Sequence, residues 1–155
     1  MSVRVHFEVD PPQGVDAESI ARCARAALAH TRREHWNVDV VLADEALVTR
    51  LHAQLFDDPT PTDVVTVDLS GDDPDPAGDA PVGEVFVSLT RAQEVALRRG
   101  VSLAREIGLY VVHGVLHLCG HDDRDDDARR AMRAAERDVL AALGFESDDA
   151  PHDED

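Results

Sequence analysis

The 155 residues predict an α+β fold: a four-stranded mixed sheet packed with about five helices, one of them apolar and central. Three observations predict it. Apolar residues recur with strand periodicity in some stretches and with helical periodicity in others. The two kinds of stretch neither alternate strictly nor fall into separate halves of the chain. The run from Ile107 to Leu118 is apolar on nearly every side, which marks a helix buried all round.

The elements follow in order. Val3, Val5, Phe7 and Val9 alternate with polar residues and predict a half-buried strand. After a Pro11–Gly14 turn, Asp16 is placed to cap a helix reaching about Arg33, with Ile20, Cys23, Ala24, Ala27 and Leu28 as its apolar stripe. Val38 to Leu42 is a more continuous apolar run, as in an interior strand. Asp44 caps a helix with Leu47, Val48, Leu51 and Leu55 expected inward, broken by Asp57-Asp58-Pro59-Thr60-Pro61. Strands at Val64–Leu69 and Glu84–Ser88 flank a Gly/Asp/Pro-rich segment and can pair as a hairpin with a long, mobile loop. A helix from about Thr90 to Arg99 stops at Gly100, and Ser102 caps the central helix. Asp125 or Asp126 caps a last helix with Met132, Ala135, Val139, Leu140 and Leu143 on its stripe, stopped by Gly144. Residues 1–145 are read as one domain, and the acidic stretch 146–155 as a disordered tail.

No apolar run reaches the length of a membrane span, and Met1–Asp10 lacks the pattern of a signal peptide. Two scattered cysteines, Cys23 and Cys119, are too few for a disulfide framework, so the expected compartment is the reducing cytoplasm and the expected role of both thiols is core packing. The formal charge is −17, which by itself argues against a nucleic-acid partner. Four of the acids lie in Gly71–Ala80 and six in Glu146–Asp155, and setting those ten aside leaves −7. All fifteen basic residues are Arg, whose planar guanidinium suits phosphate recognition. His30, His35 and His52 share no ligand spacing and are read as solvated surface residues.

His113 and His117 are four residues apart, about 40° from each other and one turn apart on a helix. Burying two imidazoles in an apolar helix is costly unless each finds a partner, and this spacing lets both hold one divalent ion. Gly120 ends the helix, and His121, Asp122 and Asp123 follow as candidates for a third ligand, the number that catalytic zinc takes from protein. Gly114 stands where a zinc peptidase helix carries its Glu base, which disfavours a peptidase-like hydrolase of a non-RNA substrate. Tyr110 and Glu106 share the face of the His pair. Tyr110 is placed to hydrogen-bond near the site, and Glu106 to act from the substrate side or to pair with an Arg.

The run His113-Gly-Val-Leu-His117-Leu-Cys-Gly120-His-Asp122-Asp123 resembles the signature of the YbeY endoribonucleases, the bacterial rRNA maturation factors. Pro61-Thr62-Asp63-Val64, Val82–Ser88 and Ser102-Leu-Ala-Arg105-Glu106 resemble further pieces of that family, in the same order and spacing over roughly residues 1–145. The resemblance implies one bound zinc ion and metal-assisted hydrolysis of single-stranded RNA, serving 16S rRNA 3′ end processing and ribosome quality control. It implies rRNA and ribosomal particles as partners, with ribosomal proteins or GTPases as possible protein partners, and neither DNA nor membrane. His113 and His117 match two ligand positions. Asp123 takes the place of the family's third His and is the favoured third ligand, with His121 its competitor. Asp122 is the nearest candidate for a general base. Phe56 occupies a place where the family generally carries an Arg near the cleft, so a phosphate clamp is missing there. A ribosome-maturation factor without catalysis, its metal only structural, is the second reading.

Overall fold

The computed structural model describes residues 3–76 and 78–145, so the acidic segment read as a disordered tail lies outside the described residues. The elements run β1 (Val3–Phe7), α1 (Ala17–His30), β2 (Val38–Ala43), α2 (Glu45–Phe56), β3 (Val64–Asp68), β4 (Gly83–Ser88), α3 (Leu89–Arg99), α4 (Leu103–Leu118) and α5 (Asp126–Ala142). One sheet has the order β1-β2-β4-β3. β1 and β4 lie parallel to β2, and β3 pairs antiparallel with β4, opposite Val87 at Val64 and opposite Gly83 at Asp68. The predicted four-stranded mixed sheet with five helices is therefore observed, with β2 interior and β3 on an edge. Among the described residues no helix is long and apolar enough to cross a membrane.

Local chemistry sets the helix starts. Asp16, Asp44, Ser88, Ser102 and Asp125 each precede a helix in extended backbone and accept a hydrogen bond from the N–H three residues on. That bond satisfies one of the donors a helix leaves unpaired at its start. Ser88 does this for α3, so that helix begins at Leu89 rather than Thr90.

The sheet separates two apolar layers. Val38, Val40 and Leu42 of β2, with Val85 and Val87 of β4, face the main core, where α1, α4 and α5 pack. Phe86, Val65 and Val67 face the other side and join Ala43, Val48, Leu47 and Leu51 beneath α2, as the two-residue period of a strand requires. α4 packs against α1, α3, α5, β3 and β4, and every residue from Arg105 to Leu116 is buried. At roughly 1.5–3 kcal/mol for each large apolar side chain removed from water, this helix carries a large share of the core. Gly114 is where it meets the sheet: a β-carbon there would stand 2.5 Å from Val85 Cγ1 and 3.2 Å from Thr66 Oγ1.

The stripe expected on α2 is shorter than its periodicity. Val48 is buried and Leu47 and Leu51 are half-buried, but Leu55 is 49% exposed. Phe56, the residue after it, is exposed as well, so the last turn of α2 is less covered than the first two. The long β3–β4 loop is tied back at its middle, where Asp75 Oδ1 accepts from His35 Nε2 at 2.7 Å and Trp36 Nε1 at 3.0 Å.

Candidate metal centre

The end of α4 builds the site. Cys119 caps the helix, and Gly120 follows at φ +103° in the left-handed region that a side chain rarely adopts. Gly120 N–H donates to the His117 carbonyl at 3.1 Å and His121 N–H to the Leu116 carbonyl at 3.0 Å. This crossed pair is a Schellman closure, and it turns the chain back on itself directly after the second imidazole. His117 thus sits in the last turn, where the helix dipole favours positive charge.

His113 and His117 line one cleft of about 400 Å³ between the end of α4 and the edge strand β3, and Asp123, Asp63, Asp68 and Phe56 line it with them. The ring centroids of the two imidazoles stand 5.3 Å apart with planes at 78°. A metal–nitrogen bond of about 2.1 Å at a tetrahedral centre would set two imidazole centroids about 5.2 Å apart. The separation of the two rings therefore matches that of a pair sharing one cation. Its third position is not closed by the side chains as they stand: among the described residues no group of three His, Cys, Asp or Glu is gathered closely enough to hold an ion.

A residue that the sequence reading passed over completes the picture. Glu136 of α5 is 3% exposed, and its Oε2 lies 2.5 Å from His113 Nδ1. Arg133 donates to the other carboxylate oxygen at 3.3 Å. A carboxylate facing Nδ1 requires the proton on that nitrogen, leaving the lone pair of Nε2 for a ligand. Buried carboxylates serve metal-binding histidines in this way, fixing tautomer and ring orientation.

The remaining candidates fall in different places. Asp122 is absent from the cleft lining and is held by Arg124, whose Nη2 and Nε donate at 2.7 and 3.0 Å. Those bonds hold its carboxyl below the usual carboxylate range, which keeps it ionised and makes it a weak proton acceptor. His121 is half-buried and also outside the cleft lining. Glu106 is fully buried and pairs with Arg99 at 3.5 Å, the plainer of its two expected roles. Tyr110 is fully buried beside it, behind the cleft wall and not among the residues that line it. Burial, then the charges of Glu106 and Asp63, push its hydroxyl pKa far up, and it stays neutral. His52, read as a solvated surface residue, is instead half-buried and lines the cleft. Cys23 and Cys119 are buried and their thiol pKa values are raised by burial, as core residues require.

Gly114, where a peptidase would carry its base, faces Val85 and Thr66 of the sheet. A glutamate there would collide with Val85 and the facing strand β3.

Comparison with known proteins fits this geometry. The family model described as "Endoribonuclease YbeY" matches residues 8–144. A protein of that name from Carboxydothermus hydrogenoformans is 39% identical over 109 residues, covering 70% of this chain and 73% of its own. Another from Clavibacter sepedonicus is 37% identical over 139 residues, covering 84% and 88%. The solution structure of TM1509 from Thermotoga maritima shares the fold with a TM-score of 0.57 at 20% identity, covering 97% of this chain and 99% of that one.

Proposed function

The chain belongs to the YbeY endoribonuclease family, and from that premise we propose that it is a metal-dependent endoribonuclease hydrolysing phosphodiester bonds of single-stranded RNA. In this reading it acts in the cytoplasm on rRNA in maturing ribosomal particles, serving 16S rRNA 3′ end processing and ribosome quality control. The observation that carries it is the imidazole pair facing one cleft, with His113 held from behind by Glu136.

His113 and His117 would supply two ligands, and Asp123, which lines the same cleft, would supply the third. His121 is the poorer third ligand, because its side chain is outside the cleft lining. A zinc ion so held supplies a Lewis acid for the phosphoryl oxygen and lowers the pKa of a neighbouring water. The chain's own part is to keep His113 a ligand: with Nδ1–H donated to Glu136, Nε2 is the nitrogen left with a lone pair. Asp63, Asp68 and Asp123 concentrate cations in the cleft and leave it short of positive charge until one is bound.

That shortage favours one second reading. No Arg lines the cleft among the described residues, as suits a ribosome-maturation factor whose metal only braces α4. Zinc content and cleavage of a single-stranded rRNA fragment separate the two. Wild-type protein is expected to carry zinc and to cut the fragment, and His117→Ala to lose both, with cleavage down by about a hundredfold or more. Equal zinc in the two proteins would retire the site. Binding to ribosomal particles with no metal-dependent cleavage would select the second reading.

A further inference from the structure

Four large apolar side chains are markedly exposed among the described residues: Leu55, Phe56, Leu69 and Leu97. Of these only Phe56, 57% exposed, lines the cleft. It is the last residue of α2, and Asp57 beyond it turns left-handed at φ 53° and ends the helix. The ring of His52, one turn earlier, supports it from one side, with centroids 5.4 Å apart and planes at 49°. His52 is itself fixed, its Nδ1 lying 3.0 Å from the Thr60 carbonyl and so donating to it. Asp58 Oδ1 in turn accepts from Thr60 N–H at 3.0 Å, which anchors the turn that carries that carbonyl. The result is an aromatic ring held over the mouth of the cleft with much of its surface in water.

We propose that Phe56, backed by His52, is a stacking platform for one nucleobase of a single-stranded RNA segment lying in the cleft. This rests on the ribonuclease reading above and deepens it by naming how the substrate is held. The charge of the cleft is the reason. Asp63, Asp68 and Asp123 line it, and no Arg does among the described residues. Phosphates are therefore not what this wall attracts. An aromatic face is indifferent to that charge and binds any base through its π-face, which suits unpaired RNA and excludes a duplex whose bases are already stacked.

The test is fluorescence anisotropy with a short labelled single-stranded RNA and with the same oligonucleotide carrying abasic positions. The full chain is used, and oligonucleotide integrity is followed on a gel. Phe56→Ala and Phe56→Leu are expected to weaken binding of the intact oligonucleotide by roughly five- to a hundredfold. Phe56→Trp should retain it. The slope of affinity against salt should stay unchanged, because no phosphate contact is lost. Because Phe56 is exposed, all three variants are expected to unfold at the wild-type temperature. Equal binding by wild type, Phe56→Ala and Phe56→Leu, or equal binding of intact and abasic oligonucleotides, would overturn the platform while leaving the ribonuclease reading in place. Binding that depends on Phe56 without cleavage of any oligonucleotide would keep the platform and remove the nuclease. A wild-type chain that binds no RNA would remove both.

Discussion

At the scale of single residues the decisive contact is Glu136 Oε2 to His113 Nδ1 at 2.5 Å, buried on both sides. Replacing the carboxylate by an amide keeps the shape but removes the charge that fixes the tautomer. Glu136→Gln is therefore expected to weaken zinc binding by roughly 10–100-fold, read by competition with a chromogenic chelator, while the fold is retained. Unchanged affinity would mean that the contact only fills space. The sequence did carry a signal for this residue. Glu136 lies between Met132 and Val139 on the apolar stripe of α5, and a carboxylate there needs a buried partner. What the sequence could not supply was the partner's identity, because His113 is 23 residues away on another helix. That His113, His117 and Asp123 border one cleft was legible because their spacing is local to one helix and its turn. The tie between Asp122 and Arg124 is equally local, two residues apart, and it takes up the carboxylate that the sequence offers as a base.

At the scale of elements, α4 and the sheet approach each other at Gly114. Gly114→Ala would force its new methyl against Val85, a buried side chain with little room to move. Overpacking of this kind costs about 1–3 kcal/mol, offset by up to about 1 kcal/mol of gained helix propensity. A net fall in unfolding temperature is expected by calorimetry, with some loss of cleavage as the His pair is lifted from the cleft. An unchanged temperature would show that the sheet yields. Element types and most boundaries were readable because capping and periodicity are local, down to the Ser102 cap and the Gly120 stop. The exposure of Leu55 and the cleft position of His52 were not, because both depend on how α2 packs against strands distant in sequence.

For the whole molecule, the excess of acid shapes the response to pH. Asp16, Asp58, Asp75 and Asp122 all have carboxyls held below their ordinary range, chiefly by hydrogen bonds from Ser19, Thr60, His35 and Arg124 in turn. A lowered folded pKa gives stabilisation that is complete above the unfolded value of about 3.9 and lost as pH falls through the folded value. Neutralising the other acids relieves repulsion over the same range and opposes that loss. The urea midpoint is expected to change little from pH 7 to 5 and to drop below about pH 4, with a smaller drop in Asp75→Asn, which has already lost its charge. A midpoint that rose steadily to pH 3 would show that repulsion dominates. One arrangement described above also bears on how the protein is made. The imidazole of His113 and the carboxylate that aims it are separated by the whole turn after Gly120 and half of the final helix. A ribosome therefore makes both imidazoles well before the carboxylate that orients one of them, and the buried pair can close only once residue 136 has been added.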